Sequence, residues 1–347
     1  MKKMLAALLA ALMVLSLAAC GASSAPAATT ALAATEAAAP AATEPATEAA
    51  APAKTYTIGI CQLVQHPALD AATQGFKDAV VEALGEENVT FNEQNASGDS
   101  ATCSTICGQF VTDGVDLIMA NATPALQAAT AATGSIPILG TSVTDFASAL
   151  AVDAAADGSL GMNVSGTSDG VPAQLYADTV MELVPEAKKV SIVYCSAEPN
   201  SVLQADQFIA CMDELGVATE VFTFADSNDI QSVTATAVEG ADALYIPTDN
   251  TAASCTEAIN AIALPAGIPI VAGEEGICKG CGVVTLSIDY YELGRTTGQM
   301  AVKILKGESD ISEMPIEYYP EPVKKYNADI ASKLNITVPG DYTAISD

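Results

Sequence analysis

The sequence of 347 residues has no tryptophan, one histidine and one arginine. Because His66 is the only histidine, any metal site built from several histidines is excluded. Cationic side chains are scarce too, with 13 Lys and Arg against 42 acidic residues and a formal net charge of −29. So acidic a chain lacks the cationic patches that neutralise phosphate, which excludes nucleic acid and anionic membrane surfaces as binding partners.

Catalytic motifs are also missing. The segment from Gly166 to Gly170 fits the GxSxG pattern of a nucleophile elbow, but no histidine follows it to take the serine proton. No GxxxxGK[ST] phosphate loop occurs, and no GxGxxG follows the first predicted strand. Glu274 and Glu275 are adjacent and are expected to point in different directions, which does not suit an acid–base pair. The sequence therefore predicts a protein that is not an enzyme and uses no cofactor.

The N-terminal region differs from the rest of the chain. Two lysines precede an apolar run of about 15 residues, which is short for a membrane span and typical of a secretory signal over residues 1–20. The run ends in Leu17-Ala18-Ala19-Cys20, which resembles a bacterial lipobox and makes Cys20 the expected lipidation site. An ordinary signal peptide is the alternative. Residues 21–54 are almost entirely Ala, Thr, Pro, Glu and Ser, and we predict that they form a disordered tether.

Eight cysteines follow Cys20. Cys103 and Cys107 fit one helix face, and Cys278 and Cys281 form a CxxC in a predicted loop. Four thiolates could hold zinc, but the two pairs lie about 170 residues apart in the chain. We therefore predict buried structural thiols and no metal site. A local Cys278–Cys281 disulfide stays open, because the compartment outside the cell membrane permits one.

The segment after Tyr56 alternates strand-like apolar runs with helical patterns, which is typical of parallel α/β units. The pattern occurs twice. The strand at 56–61 corresponds to that at 189–195, and IPILG at 136–140 corresponds to IPIVAG at 268–273, at an offset of about 130 residues. We predict two similar doubly wound lobes with parallel sheets, and a single long sheet is the alternative.

The two predicted lobes define a ligand cleft. Open α/β sheets bind ligands outside the carboxyl ends of their strands, so two lobes that face each other by those ends form a cleft that closes about a hinge. The predicted N-terminal lobe comprises residues 55–163 and 287–316. The predicted C-terminal lobe comprises residues 164–286 and 317–347.

Several segments together resemble one family. They are IGICQLVQHPALDAATQGF (58–76), ATPALQAA (122–129), IPILGTSVTDF (136–146), NVSGTSDG (163–170), IPTDNT (246–251) and SIDYYELGR (287–295). In this order they resemble the TrpX-like substrate-binding lipoproteins of ABC transporters, from about residue 56 to about residue 335. The Ala- and Asp-rich stretch 146–162 departs from the family pattern.

The resemblance implies a type I periplasmic-binding-protein fold and the uptake of an amino acid. Aromatic or large apolar L-amino acids, such as tryptophan, tyrosine or phenylalanine, are the expected ligands. It also implies an ABC permease with its ATPase as partners, a monomeric protein and an extracytoplasmic position on a lipid anchor. The alternative is a sugar or nucleoside in the same fold. Sugar sites usually stack rings on aromatic side chains and use arginine, which this chain lacks almost entirely.

A zwitterionic amino acid needs donors for its carboxylate and an acceptor for its ammonium. Hydroxyl groups and helix N-termini can hold a carboxylate without arginine. Asp249 is the predicted ammonium partner and Glu274 the second choice. Each candidate could instead be a helix N-cap, since the same residue types are favoured there. The candidate ligand-binding residues are Gln62, His66, Thr123, Ser142, Thr144, Ser196, Asn200, Asp249, Asn250 and Glu274.

His66 lies between a predicted strand and a predicted helix. Proline is favoured at the first helical position, so Pro67 makes His66 the predicted N-cap residue. The positive end of the helix disfavours imidazolium, and the ring is therefore expected to be neutral. We predict that it lines the cleft and helps to position the ligand or to close the lobes. Pure helix capping is the alternative.

Overall fold

The computed structural model describes residues 54–346. The predicted signal peptide, the lipidation site at Cys20 and nearly all of the predicted tether lie outside this range. Within it, no helix combines the length and the apolar character that a membrane crossing requires.

The chain begins with the elements of the N-terminal lobe. These are β1 (Tyr56–Gln62), α1 (Pro67–Leu84), β2 (Val89–Asn95), α2 (Ser100–Asp113), β3 (Leu117–Asn121), α3 (Thr123–Ala132), β4 (Ile138–Val143), α4 (Phe146–Leu150) and β5 (Val164–Ser168). The strands are short apolar runs, and every residue of β3 is buried because helices cover both faces of the sheet.

The chain then builds most of the C-terminal lobe. Its elements are α5 (Ala173–Leu183), β6 (Lys189–Cys195), α6 (Pro199–Glu214), β7 (Ala218–Phe224), α7 (Ile230–Ala237), β8 (Ala243–Ile246), α8 (Asn250–Ala253), α9 (Thr256–Ala266), β9 (Ile270–Ala272), α10 (Glu275–Gly280) and β10 (Val284–Ser287). The chain returns to the N-terminal lobe for α11 (Tyr290–Leu305) and β11 (Glu317–Tyr318). It ends in the C-terminal lobe with β12 (Val323–Tyr326), α12 (Ala328–Lys333) and β13 (Thr343–Ala344).

Two separate sheets form the lobes. The first has six strands in the order β11-β5-β4-β3-β1-β2, and the second has seven in the order β13-β12-β10-β9-β8-β6-β7. Strand pairing in the described range is parallel except between β10 and β12. The central order β4-β3-β1-β2 recurs as β9-β8-β6-β7, which is the internal repeat seen in the sequence. The prediction of two doubly wound parallel lobes is confirmed.

The observed strand pairing shows that the predicted lobe boundaries were wrong by a few residues. β5 pairs with β4, and β11 pairs with β5, so both strands belong to the N-terminal sheet. The division predicted from sequence placed 164–168 and 317–318 in the other lobe. Both strands are short and lie outside the repeated core of four strands, and the repeat therefore gave no indication of their lobe. The crossings between lobes fall after β5, after β10 and after β11.

Two long helices of the N-terminal lobe meet at glycines. A Cβ atom at Gly75 of α1 would lie 2.0 Å from the carbonyl oxygen of Tyr291, and one at Gly294 of α11 would lie 2.0 Å from that of Ala72. Only glycine permits this approach. The close packing fixes the first turns of α1 and α11 beside each other, and these turns carry His66 and Tyr290 to the cleft.

Candidate functional site

The two lobes meet around a small cavity, with about 280 Å³ of space between atoms that includes open solvent. It lies where the loops after the strands of both sheets meet, as expected for parallel α/β lobes. Its wall consists of His66, Leu69, Ser142, Thr144, Asp169, Asn200, Thr248, Asp249, Asn250, Ala253, Glu274 and Tyr290. The structure thus brings together most of the residues that the sequence singled out: His66, Ser142, Thr144, Asn200, Asp249, Asn250 and Glu274.

The other three predicted residues do not line the cavity. The side-chain amide of Gln62 donates to the Asp70 carboxylate at 2.7 Å and its oxygen accepts from the Thr73 hydroxyl at 2.7 Å, so it holds the turn between β1 and α1. Thr123 is buried in the first turn of α3. Ser196 is exposed, and its hydroxyl donates to a backbone carbonyl of β7 at 3.2 Å. All three follow or end strands, but their side chains point away from the cleft.

The sequence reasoning missed three polar wall residues, Asp169, Thr248 and Tyr290. Thr248 lies directly before the predicted Asp249. Asp169 directly follows β5, which is the same signal that found the other candidates. It was missed because the segment around it was considered only as a nucleophile elbow and as part of a family motif. Tyr290 begins α11 directly after a crossing between the lobes. No local pattern in the sequence indicates that a hinge residue faces the cleft.

Asp249 and Glu274 line the cavity and also cap helices. The Asp249 carboxylate accepts from the backbone N–H groups of Ala252 at 2.8 Å and Cys195 at 2.7 Å. Glu274 caps α10 and accepts from the N–H of Gly276 at 2.7 Å. The cap that the sequence left as the alternative is therefore present at both residues. Their carboxylate oxygens already have backbone donors.

Asp169 has a free carboxylate oxygen. Its Oδ2 accepts from the hydroxyl of Tyr290 at 3.0 Å, whereas Oδ1 is buried and has no hydrogen-bond partner in the described part of the chain. Burial raises the pKa of the Asp169 carboxyl to about 6, and the nearby hydroxyls of Tyr290 and Thr144 oppose part of that rise. An unpartnered buried carboxylate oxygen requires a donor, preferably a cationic one.

The cavity brings together three buried carboxyl groups without a cationic partner. Asp169, Asp249 and Glu274 are 5%, 1% and 3% exposed, and no Lys or Arg is among the described residues that form the wall. Burial raises the pKa of Asp249 to about 8, with a further contribution from the nearby Glu198 carboxylate. Burial also raises the pKa of Glu274. The electrostatics therefore favour a bound cationic group.

His66 bridges the two lobes. Its Nε2 lies 3.2 Å from Oδ1 of Asn250. The Asn250 amide nitrogen donates to the Glu198 carboxylate at 2.5 Å, so its Oδ1 is free to accept and His66 Nε2 is the donor. His66 is the N-cap residue of α1 by position, but its ring makes no capping hydrogen bond. Its Nδ1 is buried and has no partner among the described residues.

A second contact between lobes lies on the other side of the cavity. The side-chain amide of Gln204 donates to the Thr144 hydroxyl at 3.2 Å. Together with the His66–Asn250 contact, it holds the lobes closed over the cavity.

Donors for an anionic group lie on the N-terminal lobe. Ser142 has a φ of 55°, in the left-handed region, at a register irregularity between β4 and β5. Such strain is typical of functional positions. The Ser142 hydroxyl is buried and has no partner in the described range. No side chain caps the N-terminus of α1, whose Leu69 is part of the cavity wall. A carboxylate placed here would meet a hydroxyl and the positive end of a long helix.

No cysteine of the described range is part of the cavity wall. All eight cysteines between residues 54 and 346 are free. Over the same range, no group of three or more His, Cys, Asp or Glu side chains is arranged to hold a metal ion. The prediction that the CxxC lies in a loop is wrong, because Cys278 lies in α10 and Cys281 directly follows it. Both side chains are buried in the core of the C-terminal lobe.

Comparison with known proteins points to one family. Residues 57–345 match the family of ABC transporter substrate binding proteins. The tyrosine-binding protein of Clostridioides difficile (strain R20291) is 35% identical over 288 residues, which is 82% of this chain and 82% of that protein. An ABC domain from Streptococcus pneumonia in complex with L-Trp is 31% identical, with a TM-score of 0.78 over 83% of this chain and 97% of that one.

A third similar protein was solved in a different state. The ligand-free, open structure of a substrate-binding protein with adhesive properties from Clostridium difficile is 35% identical, covering 84% of this chain and 99% of that one. Its TM-score is only 0.63, lower than that of the L-Trp complex despite the higher identity. The contacts between the lobes are consistent with the lower TM-score against the open structure, because they hold the present structure closed. Solute-binding proteins of this kind are not enzymes, as the absence of catalytic motifs predicted. The chain belongs to the family of ABC transporter substrate-binding proteins.

Proposed function

We propose that this protein binds one α-amino acid between its lobes and presents it to an ABC importer. The observation that carries the proposal is the buried Asp169 carboxylate, with one free oxygen, in a cavity whose described wall has no cationic side chain. The ammonium of an amino acid supplies the missing charge and donors. A neutral sugar would leave the buried carboxylates without a counterion.

The opposite end of the amino acid requires donors for a carboxylate. The Ser142 hydroxyl and the uncapped N-terminus of α1 supply them from the N-terminal lobe. A zwitterion therefore has complementary partners at both ends. We propose an aromatic or large apolar L-amino acid as the ligand. This choice is supported by the tyrosine-binding relative and by the L-Trp complex of a similar protein.

A thermal-shift screen tests the proposal. The folded part of the chain would be melted with each of the twenty L-amino acids, common sugars and nucleosides. A ligand at a hundred times its Kd stabilises the protein by about 2.7 kcal/mol. We expect an aromatic amino acid to give the largest shift. A large shift with a pentose or nucleoside, and none with amino acids, would overturn the proposal.

His66→Asn is expected to weaken ligand binding about tenfold, roughly 1.4 kcal/mol. The shorter side chain keeps the residue suitable for an N-cap but removes the ring that reaches Asn250 in the other lobe. Titration calorimetry would compare it with Gln65→Ala, a change at an exposed neighbour on the same turn. Equal affinity in His66→Asn and the parent would reduce His66 to a structural position.

Affinity should fall as pH decreases through about 6, the pKa of Asp169 in the ligand-free closed protein. Below this pH the carboxyl is protonated and loses its attraction for the ammonium, so binding should weaken about tenfold per pH unit. The raised pKa values of Asp249 and Glu274 act in the same direction. Calorimetry between pH 4 and 8 measures the effect. A constant Kd over this range would contradict the assignment of Asp169.

We also propose that Cys20 carries a lipid anchor at the end of a signal peptide, with residues 21–54 as the tether. The lipobox-like sequence before Cys20 and the extracytoplasmic position of ABC substrate-binding proteins support this. Cys20→Ala should move the protein from the membrane fraction to the soluble fraction and abolish palmitate labelling. An unchanged membrane fraction would exclude the anchor. We further propose that the folded part is a monomer, which light scattering would test.

A further inference from the structure

An open groove adjoins the cavity on the side of the lobe crossings, with about 1430 Å³ of space that includes open solvent. The groove and the cavity share three wall residues, Ala253, Glu274 and Tyr290. The two spaces are therefore neighbours that meet at one boundary. A ligand held in the cavity would reach the groove past these three residues.

The two spaces differ in chemistry. Apart from Leu69 and Ala253, every residue in the described wall of the cavity carries a polar group. The wall of the groove instead includes several apolar and aromatic side chains, namely Pro67, Ala68, Ala71, Ile288, Tyr319 and Val323. Val323 is 49% exposed, which is unusual for a large apolar residue beside a cleft. The groove offers apolar surface that the cavity lacks.

Most polar side chains of the groove already have partners in the protein. The Lys325 ammonium forms an ion pair with the Glu275 carboxylate at 2.6 Å. The Ser287 hydroxyl donates to the same carboxylate at 2.5 Å. Lys279, Tyr291 and Asp289 bond to Ser346, Asp78 and Glu292, which are not part of the groove wall. The apolar side chains therefore offer contact surface that no internal bond occupies.

Tyr290 connects the polar cavity to the apolar groove. Its hydroxyl donates to Asp169 inside the cavity, while the residue belongs to a hydrophobic cluster with Ala68 and Ile288, against which Tyr319 packs. A ligand ammonium at Asp169 therefore lies next to the hydroxyl end of this ring. The rest of an amino acid can follow the ring towards the groove.

We propose that the groove is the side-chain subsite: it receives the aromatic ring of an amino acid whose ammonium and carboxylate lie in the cavity, and it selects aromatic over small side chains. This rests on the proposed function and extends it to specificity. An aromatic ring has the apolar area that the groove can cover, and contact between aromatic rings adds to the affinity. A polar or small side chain would leave the groove wall exposed.

Two variants of the groove test the proposal. Tyr319→Ala removes aromatic surface, and Ala71→Phe fills part of the groove. Tyr318→Ala is the matched control, because Tyr318 is 68% exposed and is not part of the groove wall. Binding of L-tryptophan can be followed by its own indole emission, since the chain has no tryptophan. L-tyrosine and L-phenylalanine would be titrated by calorimetry.

We expect Tyr319→Ala to weaken binding of all three amino acids about fivefold and Ala71→Phe at least about tenfold, with Tyr318→Ala unchanged. Melting curves identify any variant that fails to fold, and Tyr319→Ala, at a half-buried position, keeps the test available if Ala71→Phe does not fold. If the parent binds aromatic amino acids and the groove variants bind them equally well, the subsite is wrong but the proposed function stands. If the parent binds no amino acid, both are wrong.

Discussion

Asp169→Asn is expected to weaken ligand binding at least a hundredfold while leaving the protein folded. The substitution keeps the size of the side chain and its capacity to accept from Tyr290. It removes the only carboxylate in the described cavity wall that has an oxygen without a partner. Removing one member of a buried charge pair costs about 3–5 kcal/mol, and each 1.4 kcal/mol is tenfold in Kd.

Asp169→Asn should not lower the stability of the ligand-free protein. Because the pKa of Asp169 is raised to about 6 in the fold, its contribution favours folding at low pH and is lost as pH rises through 6. Asn does not titrate, so Asp169→Asn should be at least as stable as the parent at neutral pH. Calorimetry and melting curves would include Asp153→Asn, the same change at an exposed position. Parent-like affinity in Asp169→Asn would contradict the proposed ammonium site.

Asp249→Ala should lower the free energy of unfolding by about 3 kcal/mol, since each buried backbone donor left unpaired costs about 1–3 kcal/mol. The donors are the N–H groups of Ala252 and Cys195, both held by this carboxylate. The sequence alone predicted Asp249 as the ammonium partner, with helix capping as the alternative. Urea unfolding at neutral pH measures the loss.

A matched control for this change is Asp145→Ala. Asp145 caps α4 through the N–H of Ser148 at 2.7 Å but is only half-buried, so its loss should cost about 1 kcal/mol. If Asp249→Ala unfolds at the parent's urea concentration and fails to bind ligand, then Asp249 rather than Asp169 holds the ammonium.

Much of the fold could be predicted because the chain repeats its own pattern. Alternating apolar strands and helices at matching positions in two halves fix two parallel sheets, and the rule for strand ends places the cleft between them. This rule brought seven of the ten candidate residues to one cavity. It failed for Gln62, whose partner Asp70 lies in the following helix, because the rule locates a backbone position and not the direction of a side chain.

The division of roles among the carboxylates could not be predicted. Asp169, Asp249 and Glu274 look alike in sequence, each at the end of a strand. What separates them is whether a backbone donor lies within reach, which depends on the folded path of α8, α10 and α11. Glu198 is a further example, since it binds the N–H of Thr251, 53 residues away, at 2.8 Å. Such partners appear only when the lobes are assembled.

Titration of the parent protein with two matched compounds tests the central claim most directly. L-tyrosine and 3-(4-hydroxyphenyl)propanoic acid differ only in the α-ammonium group. An acidic cavity built around Asp169 predicts that L-tyrosine binds at one site per protein and that the compound without the ammonium does not bind measurably. Equal binding of the two compounds, or tight binding of a pentose with no response to L-tyrosine, would contradict it.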